Sequence, residues 1–510
     1  MKTISLRDPS NCVFVVGGEI YRSLDQAYLP SYHMLMQSGL YKVLSEKGLL
    51  VSHEEVDETQ IGPALVIEGL SSAAGGNGDK AKRGSALNAM HEDLKGTASE
   101  LGWLKNKVLK PERIPFISYP YEWSFSQLKD AALATLEIEK IALEHGMTLK
   151  DASAYNMQFH KGKPLLLDTG SFDAYREGRP WIAYSQFLRH FLAPLVLMAK
   201  VNPELNKMLL CYSDGLPLPL VRSLMPWYKF LNVSLATHIL GNTMVQKSES
   251  KRIHDEAAKS SEQIASEPAT VKMPKQHLLA IIDDLERLIK GLSLPRRATT
   301  WSDYYQDNSY SKEAADDKKA TVERFIATAA PRDIWDLGAN NGLYSRLAAS
   351  TGAMVVSMDL DWACVDDNYL RCCKDGMNNV LPLVVDFMVP SPAAGWSNKE
   401  RQGLAQRGPA DLIMALALVH HLSIGNNISL KELAARFSVL CRYLLIEFVP
   451  KSDVQVKRML AQREDIFGKY DERSFEDYFS RYFSIEERHR IKDSGRTLYL
   501  LKSLNPEISS

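Results

Sequence analysis

Residues Asp333 to Gly342 read DIWDLGANNG, and the pattern of this run decides the fold of the C-terminal third of the chain. IWDL is a short β-branched and aromatic run that ends at Asp336 and Leu337, as a buried strand would. Gly338-Ala-Asn-Asn-Gly342 is turn chemistry, and LYSRLAAS opens a helix near Leu343. The same alternation then repeats. AMVVSMDLD ends a second strand at Asp359 and Asp361, VLPLVVDF ends a third at Asp386, DLIMALAL starts a fourth at Asp411, and RYLLIEFV carries a fifth to Glu447. FSIEERHRI and RTLYLLKS, joined by Asp493-Ser494-Gly495, predict a closing hairpin. Strands alternating with helices and ending in a hairpin predict an α/β fold with a mostly parallel sheet and an antiparallel edge.

The residue types at the strand ends suit a nucleoside-bearing cofactor. A glycine-rich turn after the first strand lets the backbone approach a ligand closely. An acidic residue at the end of the second strand accepts hydrogen bonds from both ribose hydroxyls, and Asp359 stands at that spacing. Open α/β sheets bind ligands at the carboxyl ends of their strands, the end to which Asp336, Asp359, Asp386 and Glu447 map. A GxGxxG phosphate loop is absent, which sets this pattern apart from dinucleotide-binding domains.

DLGANNG, VVSMDLD, VVDF and LALVHHL, in this order, resemble the class I S-adenosylmethionine (SAM)-dependent methyltransferases. The resemblance covers about the last 200 residues. It implies a Rossmann-like, seven-stranded domain over residues 301–504 in which Gly338 and Gly342 shape the loop, Asp359 holds the ribose and Asp386 lies near the adenine. Asp336 belongs to the same motif. The family commonly has a glycine where this chain has Asn340, but asparagine tolerates positive φ better than other side chains, so the turn survives. Methyl transfer needs in-line positioning and a deprotonated nucleophile. His420, His421 and Glu447 are the candidate bases, each with packing or loop shaping as its plainer role. No Asn-Pro-Pro-Tyr or Asp-Pro-Pro-Tyr follows the fourth strand, which argues against methylation of exocyclic amino groups.

Upstream, LATLEIEKIALEHG is an amphipathic helix ending at Gly146, followed by LKDASAYNMQF, the turn HKGKP, and LLLDTGS. Asp151 and Asn156 have the D-x-x-x-x-N spacing of a kinase catalytic loop, and Asp168-Thr-Gly170 follows one hairpin later. This looks like a kinase-like phosphotransferase loop. The resemblance implies that Asp151 orients an acceptor hydroxyl while Asn156 and Asp168 bind Mg²⁺ on ATP. Lys150 and Leu149 depart from that pattern. No secure Gly-rich loop precedes it; VFVVGGEIYRSL around Gly17 and Gly18 is the nearest, with Arg22 or Lys42 as the positive charge and PYEW at Pro120 to Trp123 as a hinge. The competing reading is a hairpin whose Asp and Asn residues make turns. Residues 1–246 thus read as an α+β, kinase-like domain, with a flexible insertion at 71–96. A linker at 247–276 and a connecting helix at 277–300 come next.

A formal net charge of −1 over 510 residues gives no broad attraction to nucleic acid or anionic lipid. The six cysteines show no CxxC pair and no zinc spacing. No apolar run is long enough for a signal peptide or a membrane span, so the sequence reads as cytoplasmic. The whole arrangement resembles bacterial nodulation-type methyltransferase proteins. The function it implies is SAM-dependent methylation of a hydroxyl or related nucleophile on a small molecule or glycan. The alternatives are a non-catalytic SAM-binding module whose N-terminal domain recruits a partner, and a bifunctional kinase-like methyltransferase using ATP and Mg²⁺. The oligomeric state is not legible.

Overall fold

A computed structural model describes residues 2–3, 11–56, 107–241, 273–294, 310–461 and 463–509. Its N-terminal part begins with strands β1 (Lys2–Thr3), β2 (Asn11–Val16) and β3 (Glu19–Leu24), helices α1 (Leu29–Gln37) and α2 (Leu40–Glu46), then β4 (His53–Val56) and β5 (Lys107–Pro111). The strands pair antiparallel in the order β1-β2-β3-β5-β4. Gly17 and Gly18, with φ of 59° and 79°, supply the left-handed backbone that turns β2 into β3.

The helix α3 (Phe125–Glu144) starts at a capping box: the Ser124 side chain accepts from the Gln127 amide, and Gln127 accepts from the Ser124 amide. It stops before Gly146 at φ 73°, as the glycine predicts. Two small strand pairs come after it, β6 (Met147–Leu149) with β9 (Phe172–Ala174), and between them the hairpin β7 (Met157–His160) and β8 (Lys163–Leu166). Helix α4 (Lys275–Gly291) packs along α3, where Lys140 bonds Asp283 at 2.6 Å. The expected connecting helix is therefore docked on the N-terminal body, because Leu278, Ile282, Leu285, Leu288 and Ile289 form an apolar stripe that α3 buries. The expected insertion at 71–96 and residues 247–272 of the expected linker lie outside the described residues.

The C-terminal part comprises α5 (Lys312–Ala329), β10 (Asp333–Leu337), α6 (Leu343–Ala349), β11 (Met354–Asp359), α7 (Trp362–Lys374), β12 (Val380–Val384), β13 (Ala410–Ala415), α8 (Leu430–Ser438), β14 (Cys441–Phe448), β15 (Phe483–Arg490) and β16 (Thr497–Ser503). The sheet order is β12-β11-β10-β13-β14-β16-β15. The pairs from β12 to β14 are parallel, whereas β16 is antiparallel to both its neighbours. This is a Rossmann-like arrangement, mostly parallel as expected. The closing hairpin folds back so that β16 enters between β14 and β15, and the outermost strand runs with the parallel set. Strand order reverses between β10 and β13, which opens a crevice at their carboxyl ends.

The two parts share one hydrophobic core, which runs from Trp123 and Leu128 to Trp335 and Met358. Ser126 donates through its amide and its hydroxyl to Asp366 at 2.8 and 3.0 Å, and the Tyr369 hydroxyl donates to Asp130 at 2.7 Å, so α7 is bonded to α3. Arg407 forms a buried ion pair with Glu122, 2% and 1% exposed, and also donates to the Ile117 carbonyl. PYEW thereby contributes Glu122 to this interface. Breaking one partner of such a pair costs about 3–5 kcal/mol, because the other charge is left buried.

Candidate functional site

The crevice at the strand reversal holds a cavity of about 220 Å³ lined by Gly338, Asn340, Asp359, Asp386, Ala417 and His421, with apolar side chains between them. The turn after β10 adopts the left-handed region three times, at Gly338 (φ 70°), Asn340 (φ 51°) and Gly342 (φ 72°). A Cβ on Gly342 would sit 2.1 Å from the Asn368 side chain of α7, and one on Gly338 would sit 3.1 Å from Leu418. The turn is thus packed so closely against α7 and Leu418 that glycine is required at Gly342 and favoured at Gly338.

Asp359 is tied to that turn. Its Oδ2 accepts from the Asn340 amide at 2.7 Å and its Oδ1 from the Asp361 amide at 2.9 Å. The Leu360 amide also acts on this carboxylate, and Asp359 lines the cavity wall. Burial raises its carboxyl to about 6, against the lowering effect of the amides that bond it. Asp386 lines the same cavity two residues beyond β12, its Oδ1 accepting from the Met388 amide at 2.8 Å. The donor and acceptor set fits the cofactor that the resemblance implies: a glycine turn, a carboxylate for ribose hydroxyls, and the apolar walls Phe387 and Leu422 for a base.

Other candidates stand elsewhere. Asp336 is buried below the turn, accepts from the Ser345 hydroxyl at 2.6 Å, and is raised to about 7 by burial; it does not line the cavity. Gly342 likewise acts through the turn rather than the wall. His421 lines the cavity, and burial lowers its imidazole to about 4, with Arg496 adding to the shift. His420 is fully buried, its two ring nitrogens have no partner among the described residues, and its ring lies 4.1 Å from that of His421. A base must reach its proton, and His420 does not reach the cavity, so its candidacy as base is corrected.

Glu447 is also corrected. It is 0% exposed and accepts from Lys318 at 2.7 Å, from Arg496, from the Tyr310 hydroxyl and from the Ala417 amide at 2.9 Å. Burial opposes its charge, but Lys318 and Arg496 outweigh burial and hold it below the ordinary carboxylate range. A carboxylate so committed is a poor proton acceptor. Sequence reasoning missed this hub: Lys318 reads as one more charge in a solvated helix, and no spacing links it to Glu447 or Arg496.

The N-terminal candidates do meet. Asn156 donates to the Ser171 hydroxyl at 3.4 Å, and Ser171 donates to Asp168 Oδ2 at 3.0 Å. Asp151 accepts from the Ser153 amide at 2.9 Å, and burial raises its carboxyl, with the Asp168 charge adding. The expected metal role of Asp168 meets an obstacle, however. Arg22 is ion-paired to Asp168 Oδ1, which also accepts from the Gly170 amide at 2.8 Å, so its charge is already balanced. Lys42, the other expected positive charge, faces solvent near Glu46. Among the described residues, no group of three or more His, Cys, Asp or Glu side chains is placed to hold a metal ion. No described helix is long and apolar enough to cross a membrane.

No protein-family model matches the chain. It is 31% identical over 497 residues to the nodulation protein NoeA of Rhizobium meliloti (strain 1021), across 97% of this chain and 94% of that protein. Among solved structures, the bifunctional kinase-methyltransferase WbdD matches at 17% identity and TM-score 0.29, over 43% of this chain and 46% of that one, so this chain spans under half its length. The N-methyltransferase NodS from Bradyrhizobium japonicum WM9 matches at 10% identity over 38% and 98% of the two chains, also with TM-score 0.29.

Proposed function

This chain belongs to the family of the nodulation protein NoeA, and from that premise we propose that it is a SAM-dependent methyltransferase. Its acceptor is a hydroxyl or related nucleophile on a small molecule or glycan. The observation that carries the reading is the cavity at the strand reversal, where a left-handed glycine turn and the Asp359 carboxylate face the same space. Asp359 accepts from the ribose hydroxyls, Gly338 lets the backbone come close, and the wall around Asp386 and Phe387 encloses the base. When bound, the cofactor supplies an electrophilic methyl group. His421 is the remaining candidate base. Its imidazole is neutral at physiological pH, because burial disfavours the charged form, and a neutral imidazole takes a proton from an acceptor hydroxyl.

The test is calorimetric titration with SAM and with its demethylated product, S-adenosylhomocysteine (SAH), on the wild-type protein and on Asp359→Ala. Saturable binding that the substitution weakens supports the reading. A folded wild-type protein that binds neither ligand sinks it.

A second reading is supported by the meeting of Asp151, Asn156 and Asp168 with Arg22: a kinase-like N-terminal domain that binds ATP and Mg²⁺. On this reading Arg22 releases Asp168 to the metal when nucleotide phosphates draw the guanidinium away. Mg²⁺-dependent ATP binding lost in Asp168→Ala supports it, and ATP binding indifferent to Mg²⁺ counts against it.

A further inference from the structure

The most unusual polar arrangement in the molecule is the buried hub behind the cavity wall. Lys318, from α5, and Arg496, from the end of the closing hairpin, are 4% and 1% exposed, and both converge on Glu447 at the end of β14. Tyr310 lies between them. Its hydroxyl bonds Glu447, and its ring lies 5.0 Å from the Lys318 ammonium and 4.7 Å from the Arg496 guanidinium. Arg496 is held a second time by Asp453 at 2.8 Å. The hub therefore sets Lys318 and Arg496 against the Glu447 and Asp453 carboxylates, with the Asp336 charge also acting on Lys318, in surroundings where an unbalanced charge reaches far.

The hub also touches the cavity. Glu447 accepts from the amide of Ala417, a residue at φ 51° whose neighbours Leu416 and Leu418 line the cavity beside His421. An alanine holds that conformation only where its surroundings enforce it. On the SAM reading Asp359 and Asp386 face the nucleoside, which leaves the wall around Ala417 and His421 as the place proposed for the sulfur. The charge there is what separates the two ligands, since SAM carries a positive sulfonium and SAH does not.

Resting on the SAM reading above, we infer that Glu447 is a positioning residue for the methyl-donor end. It fixes the Ala417 turn and balances Lys318 and Arg496 so that their charge does not repel a cationic cofactor. Remove the Glu447 charge and, with Asp453 still paired to Arg496, one net positive charge acts on the sulfonium; remove Lys318 and the field reverses.

The experiment is calorimetry of SAM and SAH against wild type, Glu447→Gln, Lys318→Met and the double variant, each checked for cooperative thermal unfolding. Glu447→Gln should weaken SAM about tenfold more than SAH, the scale of one unbalanced charge acting through the protein interior. Lys318→Met should move the SAM-to-SAH ratio the other way, and the double variant should return it to the wild-type value. A merely structural role weakens both ligands alike. Equal losses in Glu447→Gln, or an unmoved ratio in Lys318→Met, overturn the inference while leaving the SAM reading in place. If Glu447→Gln fails to fold, the ratio in Lys318→Met decides alone. A wild-type protein that binds neither ligand overturns both.

Discussion

Asp359 and Asp168 are alike in sequence and opposite in circumstance. Each lies at or just past the end of a strand, each accepts a backbone amide nearby, and each sits where a motif would place a ligand-binding carboxylate. Asp359 faces a cavity, with only amides for partners and with burial raising its carboxyl to about 6. Asp168 is ion-paired to Arg22 and bonded by Ser171. A motif fixes where a carboxylate lies, but only its neighbours fix whether its charge is available.

The largest test of this contrast is backbone rather than charge. Gly342→Ala should destabilise the protein by about 3 kcal/mol, since a left-handed φ and a collision with Asn368 add together. Gly18→Ala, in the N-terminal hairpin with the same sign of φ but nothing within 4 Å, should cost only about 1 kcal/mol. Thermal unfolding of the two variants measures the difference, and equal shifts would mean that Asn368 moves aside freely.

Next in size is the carboxylate itself. Asp359→Asn should weaken SAM by about 2 kcal/mol, roughly thirtyfold, through lost charge-assisted hydrogen bonds. Asp168→Asn should leave SAM affinity where it was. A comparable loss in both would show that the N-terminal cluster reports on the cavity, and the two carboxylates would no longer count as independent.

The smallest effect is on pH. Asp359 gains its proton near pH 6, so SAM affinity should be constant above about pH 7 and decline as pH falls through about 6. The decline should vanish in Asp359→Asn. The His421 imidazole, lowered to about 4, is neutral across this range, so turnover at saturating SAM should show no inflection near the ordinary histidine value of about 6.5. An inflection there would mean that His421 is more solvated than its burial implies.

The C-terminal sheet was legible because each strand is a contiguous apolar run punctuated by glycine or aspartate, and Asn340 was legible because so few side chains tolerate its backbone. Alternation does not encode which neighbour a hairpin strand chooses, so the insertion of β16 beside β14 could not be read. Nor could the hub. Tyr310 and Lys318, Glu447, and Arg496 come from three segments far apart in the chain, and each residue alone looks ordinary. The stripe on α4 was visible as helical spacing, but spacing does not say which body buries it. His420 and Glu447 looked like bases because they fall next to the cavity in sequence, whereas side-chain direction turns both away from it.

The shared core between the two parts bears on how such a chain can be divided. Splitting it near residue 301 would strip α3 from α7, strand Arg407 without Glu122 and bare the apolar surface around Trp335. Each half expressed alone should then carry an uncompensated buried charge and an uncovered apolar face, and lose stability relative to the joined chain.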